Sequence, residues 1–164
     1  MSGKSYDVLF LCTGNSARSI MAEVMLNALG QGRFRGHSAG SQPKGQVHPM
    51  SVETMRALGY PASNVRSKSW EEFAAPGAPP VDFIITVCDN AAAEVCPIWP
   101  GKPTSAHWGV PDPAAVEGTV EEQSAAFHEA ALALRRRIEL LMSLPLAKLD
   151  HLALQAKLRD IGTQ

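Results

Sequence analysis

Apolar residues along this chain follow two rhythms that alternate from the amino terminus onward. Val8, Leu9, Phe10 and Leu11 form an unbroken apolar run of the kind found in a buried strand, and a stretch of small and polar residues follows from Cys12. From Ser19 to Leu29 the spacing becomes helical, with Ile20, Met21, Val24, Met25 and Ala28 on one side. Phe34 to Ser38 reads as a second strand ending in the turn residues Ala39, Gly40 and Ser41, and Pro49 to Leu58 as a helix stopped by Gly59. Ser69 to Phe73 predicts a short helix before the Pro/Gly-rich loop Ala75 to Pro80. Val81 to Val87 predicts a buried third strand, and Thr104 to His107 a weaker fourth. Thr119 with Glu122 makes a capping box for a helix carrying Phe127, Ala130, Ala131, Leu134, Ile138 and Leu141 at helical spacing. Asp150 caps a last helix with Leu154, Leu158 and Ile161 on one stripe and Gly162 as its stop.

This alternation is the signature of an α/β fold, a parallel sheet covered by helices on both faces. Ligands of such sheets bind beyond the carboxyl ends of the strands, where Cys12 and Cys88 both fall. At 164 residues the chain suits one domain. Its formal net charge of −1 gives no general basic field, so neither nucleic acid nor an anionic membrane surface is an expected partner. Met1 to Tyr6 lack the layout of a secretory signal, and no apolar stretch is long enough to span a bilayer, so a reducing cytoplasm is the expected compartment. Three cysteines in that setting point to chemistry more than to structural crosslinks.

The chemistry concentrates in Cys12, Thr13, Gly14, Asn15, Ser16, Ala17, Arg18 and Ser19, a Cys-x5-Arg-Ser loop between the first strand and the first helix. N–H groups at a helix start and the positive end of its dipole favour a dianion, and the same field favours thiolate at Cys12. Cys12 is therefore expected to be an anionic nucleophile at neutral pH. Arg18 offers a flat fork of donors matching two oxygens of a phosphate or arsenate. Gly14 and Asn15 tolerate the left-handed backbone that turns successive N–H groups inward, and the Ser19 hydroxyl is in position to assist the sulfur.

With strand, loop and helix in place, the chain resembles the low-molecular-weight protein tyrosine phosphatase family over roughly residues 6 to 142. The resemblance implies a single domain with a four-stranded parallel sheet and makes Asp112, in the pair Asp112-Pro113, the general acid. Within the family the chain is most similar to the arsenate reductases, through Cys12 to Ser16, His37 to Gly40 and His107 to Ala114. Phosphatases of the family usually carry an aromatic residue after Asp-Pro, where this chain has Ala114.

In thioredoxin-coupled arsenate reductases two further cysteines relay oxidation away from the loop, and the resemblance gives that role to Cys88 and Cys96. The implied cycle forms an arseno-cysteine at Cys12, then a Cys12–Cys88 disulfide, then a Cys88–Cys96 disulfide exposed to a reductant. The reductant is external, thioredoxin or glutathione with glutaredoxin, and no cofactor is held tightly. Lys68 stands where some relatives have an acidic potassium ligand, which argues against a bound alkali ion.

Other uses of these residues differ in what they require. A phosphatase acting on phosphomonoesters needs the same loop and acid but neither Cys88 nor Cys96, and a non-catalytic phosphate-binding module needs no thiol at all. A zinc site at Cys88, Cys96 and His107 has no Cys-x2-Cys pair, so no metal is expected. Residues 1–144 read as the catalytic domain and 145–164 as a helical extension packed on it, in a chain expected to act as a monomer.

Overall fold

A computed structural model describes residues 5–78, 80–88 and 103–164. Four strands, β1 (Tyr6–Cys12), β2 (Phe34–Gly40), β3 (Phe83–Thr86) and β4 (Thr104–His107), form one sheet in the order β2-β1-β3-β4, with every pairing parallel. Among the described residues the helices are α1 (Arg18–Gly30), α2 (Pro49–Ala57), α3 (Glu71–Ala74), α4 (Val120–Met142) and α5 (His151–Ile161). The expected third strand, Val81 to Val87, is shorter as a regular element, although Asp82 and Val87 continue its pairing with N–H donations to Asp7 and Leu11 at 2.8 and 2.9 Å.

The two faces of the sheet are covered unequally. Val8 and Phe10 of β1 point into the larger core, with Met21 and Met25 of α1, Met55 of α2 and the α4 stripe Phe127, Leu134, Ile138 and Leu141. Leu9 and Leu11 point the other way, into a small cluster with Ala39, Val81, Ile84 and Trp70, against which Phe73 of α3 packs. Both sides of β1 are fully buried, which is why its sequence is continuously apolar rather than alternating. The fully buried Phe, Leu and Ile side chains of α4 each contribute about 1.5–3 kcal/mol of transfer free energy, so α4 is fastened mainly by its apolar stripe. Its start is the capping box read from sequence, with Thr119 Oγ1 accepting from the Glu122 N–H at 3.1 Å.

Two glycines act differently from their sequence reading. Gly162 follows α5 with φ −63°, so it does not end the helix by a left-handed turn. It is small because a Cβ there would lie 2.3 Å from the His107 carbonyl oxygen. Gly40, at the carboxyl end of β2, lies against the loop after β1, and a Cβ there would approach the Thr13 carbonyl oxygen to 2.4 Å. A Gly40→Ala substitution is therefore expected to displace the loop and destabilise the fold by about 1–3 kcal/mol, the usual range for overpacking. Urea unfolding of the purified variant measures this, and a midpoint equal to wild type would contradict it.

Candidate active site

The carboxyl ends of the four strands bring together Cys12, the last residue of β1, the turn at Gly40, Cys88 just past β3, and the segment 108–113 just past β4. Between Cys12 and α1 the backbone bends through Asn15, whose φ is +46°. Asn15 is completely buried, and its side-chain N–H donates to Ser19 Oγ at 2.8 Å while its Oδ1 accepts from the Lys68 N–H at 2.8 Å. These bonds hold the left-handed residue in place and tie the loop to the strand-side segment around Lys68. Gly14 is not in the left-handed region, which corrects the expectation that both residues supply the bend. Its lack of a side chain instead admits the Lys44 side chain, whose Cε would lie 3.2 Å from a Cβ at Gly14.

The loop is held from outside by carbonyl acceptance. Thr13, Gly14 and Ser16 carbonyls accept from the N–H groups of Gln42, Lys44 and His48 at 2.9–3.0 Å, and the Ser16 carbonyl also takes the Ser51 hydroxyl at 2.9 Å. With the carbonyls turned outward, the start of α1 has no side-chain cap at Ala17 and no acid in its first turn, an arrangement that suits an anion at a helix start. A cavity of about 370 Å³ opens there, lined by Cys12, Thr13, Gly14, Ser16, Ala17, Arg18, Gln42, Lys44, Asp112 and Ala114. Gln42 and Lys44 are site residues that the sequence reading missed. Nothing local to them signals the role, since only the pairing of β1 with β2 carries their loop back over residues 13–16.

Arg18 joins the loop to the segment carrying Asp112. Its Nη1 donates to the Val110 carbonyl at 2.9 Å, and its Nη2 lies 3.7 Å from Asp112 Oδ2. Its Nε is buried without a hydrogen-bond partner among the described residues, a donor suited to an oxyanion. Asp112 divides its carboxylate: Oδ1 accepts from the Ala114 N–H at 3.0 Å and caps the short 3-10 turn Pro113–Ala115, while Oδ2 faces Arg18. Asp112 thus both starts a turn and lines the cavity.

Cys88 is beside Cys12. Parallel pairing of Leu11 with Thr86 carries both chains past the sheet edge in step, and the two buried thiols share a hydrogen bond. The Thr13 N–H donates to Cys88 Sγ at 3.3 Å. The bond to Cys88 holds the Cys12 thiol above the ordinary thiol range and burial raises it further, while Arg18 and the Thr13 N–H pull the other way. Cys88 and burial thus oppose the loop field that was expected to favour thiolate at Cys12. Cys96, the remaining sequence-predicted site residue, lies outside the described residues.

The residues near Lys68 do not fit an alkali ion. The Lys68 ammonium is buried, donates to the Arg66 carbonyl at 2.9 Å and lies 3.7 Å from Glu23 Oε1, which also accepts the Ser38 hydroxyl. Burial lowers the Lys68 pKa and Glu23 opposes that shift. The positive charge beneath the loop is therefore part of the chain itself.

A cysteine and an arginine on one loop at a helix start, with a carboxylate across the cavity, are the groups that nucleophilic chemistry on a tetrahedral oxyanion uses. The chain belongs to the low molecular weight phosphotyrosine protein phosphatase family, whose model matches residues 7–154. Among curated relatives it is 36% identical over 132 residues to an arsenate reductase of Halalkalibacterium halodurans, covering 80% of this chain and 91% of that one. It is 37% identical over 120 residues to an arsenate reductase of Bacillus subtilis, covering 73% and 83%. Among solved structures, an arsenate reductase in the phosphate binding state superposes with a TM-score of 0.65 at 26% identity, covering 84% of this chain and 97% of that one. A low molecular weight protein tyrosine phosphatase from T. tengcongensis shares the fold at 24% identity and a TM-score of 0.66, covering 82% and 96%.

Replacing Cys88 by Ala removes the largest influence holding the Cys12 pKa up. The expected outcome is a lower midpoint for Cys12 alkylation by iodoacetamide as pH is varied, and faster alkylation at pH ~7, where more thiolate is present. Peptide mass mapping reports the site, and an unchanged midpoint would show that the two sulfurs do not interact. For Lys68, replacing potassium by tetramethylammonium at constant ionic strength is expected to leave phosphate affinity unchanged in isothermal titration.

Proposed function

We infer that this protein is an arsenate reductase, converting arsenate to arsenite through a covalent arseno-cysteine at Cys12 followed by thiol transfer. The observation that carries the reading is the second thiol, Cys88, hydrogen-bonded to the first at the oxyanion loop. Hydrolysis of a phosphomonoester needs one nucleophilic sulfur, whereas a two-electron reduction consumes two.

The chemistry begins with Cys12 as nucleophile. Its sulfur attacks arsenic(V) while the N–H groups of residues 13–19 and the Arg18 guanidinium bind the oxygens, and Asp112 protonates the departing oxygen so that it leaves as water. Cys88 then attacks Cys12 Sγ. A sulfur–sulfur bond forms, the sulfur–arsenic bond breaks, and its electron pair stays on arsenic, which leaves as arsenite while two thiols become one disulfide. Phosphate can enter the first step but resists the second, so selectivity lies in the redox step more than in binding. The hydrogen-bonded placement of the two buried thiols supports this step.

An external thiol reductant closes the cycle. Cys96 attacking Cys88 would regenerate Cys12 and pass the disulfide outward to thioredoxin, and a thioredoxin-dependent arsenate reductase of Corynebacterium glutamicum, 25% identical with a TM-score of 0.58, supports such coupling. Glutathione attack on the arseno-cysteine, completed by glutaredoxin, is the other route. Either route suits a reducing cytoplasm. Among the described residues the large apolar side chains left exposed are few, Val116, Val120, Leu132 and Leu152, which supports a monomer. Residual phosphatase activity follows from the shared loop and acid, while Ala114 on the cavity wall in place of an aromatic residue argues against a phenyl ring as the natural leaving group.

Serine substitutions separate the routes. Arsenate-dependent oxidation of a thiol donor is expected to vanish in Cys12→Ser and Cys88→Ser, and in Cys96→Ser to be lost with thioredoxin. Intact mass after one turnover without reductant is expected to show an internal disulfide in wild type. Full activity of Cys88→Ser with glutathione would remove the internal relay, and p-nitrophenyl phosphate hydrolysis without any arsenate-dependent thiol oxidation would make the protein a phosphatase. Asp112→Asn is expected to lower turnover by about 10²-fold or more without a change in melting temperature.

A further inference from the structure

The last helix is attached to the strand edge at the segment that leads to Asp112. Trp108 is fully buried, and its indole N–H donates to the Leu158 carbonyl of α5 at 2.9 Å. Gly162 lies so close to the His107 carbonyl that a Cβ would reach it at 2.3 Å and Trp108 Cδ1 at 3.0 Å. The buried Arg137 of α4 completes the junction, donating from Nη1 to the Trp108 and Gly109 carbonyls at 3.0 Å each and from Nη2 to the Gln164 carbonyl at 3.2 Å. The next residue, Val110, offers its carbonyl to Arg18, and Asp112 follows it. Leu158, Gly162 and Gln164 lie beyond residue 154, where the family match ends.

We propose that residues 151–164 clamp the acid-bearing loop, making Trp108, Arg137 and Gly162 positioning residues for proton delivery by Asp112. In this arrangement residues 1–144 form the catalytic domain and 145–164 an extension that stiffens one wall of its site. The proposal rests on Asp112 being the general acid, as argued above. A carboxylate on a short turn delivers a proton efficiently only if that turn is held, because a displacement on the order of 1 Å from the productive geometry can cost about 10²-fold in rate. Three successive residues before the turn are fixed from outside the loop: His107 by contact with Gly162, Trp108 through its side chain and carbonyl, and Gly109 through its carbonyl. The line from the last helix to Arg18 is thus continuous. Arg137 ties α4, the loop and residue 164 with one guanidinium, which a lysine ammonium does not reproduce in planar geometry.

Trp108→Phe removes one N–H donor but keeps an aromatic ring, and Gly162→Ala pushes a methyl group into the His107 carbonyl. Each is expected to lower kcat of arsenate-dependent thiol oxidation about tenfold while KM for arsenate changes by less than about threefold. In the Asp112→Asn background the same substitutions are expected to cost less than about twofold, because a misplaced acid matters only where there is an acid. Amide exchange at Val110 and Ala114 is expected to be faster in both variants, a readout independent of turnover. Equal fractional losses with and without Asp112, or unchanged exchange at those amides, would overturn the clamp. Should Gly162→Ala fail to fold, Trp108→Phe decides the matter by the same measurements. Wild-type turnover in Asp112→Asn alone would defeat the acid assignment instead, leaving the exchange result to judge the clamp by itself.

Discussion

Two sulfur atoms share a hydrogen bond at the edge of a parallel sheet, and the site is organised around that contact. It exists because β1 and β3 are neighbours in register, Leu11 opposite Thr86, so that Cys12 and Cys88 leave the sheet side by side. That contact, with burial, holds Cys12 above the ordinary thiol range against the pull of Arg18 and the Thr13 N–H. Both sulfurs are buried thiols, side by side at the loop.

Charge around the sulfurs is arranged in layers. Nearest the cavity lie the uncapped start of α1 and the Arg18 fork, with a buried Nε that has no partner among the described residues. Beneath the loop, the Lys68 backbone N–H holds Asn15 while the Lys68 ammonium faces Glu23, which in turn takes the Ser38 hydroxyl. This places a covalently fixed cation near a backbone turn that must remain left-handed. Asp112 closes the cavity with one oxygen toward Arg18 and the other engaged in capping its own turn.

The loop chemistry is common to phosphoryl transfer and to the first step of arsenate reduction, and for that reason fold and loop alone do not distinguish the two. The distinction rests on electron counting. A reduction that ends in a disulfide requires a second sulfur within reach of the first, and that is a property of neighbouring strands rather than of the loop. The curated arsenate reductases from Halalkalibacterium halodurans and Bacillus subtilis share over a third of their aligned residues with this chain, in keeping with that electron count.

What could be read from the chain was whatever depends on near neighbours in sequence. The apolar run of β1, the helical spacing of α1 and α4, the capping boundaries at Thr119 and Asp150, and the Cys12 to Ser19 loop are local patterns, so their identity follows from residue order and backbone chemistry. Tertiary structure decided the rest, because it depends on what lies alongside. The meeting of Cys12 with Cys88 comes from the pairing of strands distant in sequence, as does the Thr13 N–H on Cys88 Sγ, 75 positions away. Gln42 and Lys44 enter the cavity wall only because β2 lies beside β1, and Gly162 is small because a carbonyl from β4 presses against it. Local chemistry wrote the loop; long-range packing chose its neighbours, since contact between distant residues is set by how the sheet and helices close over one another.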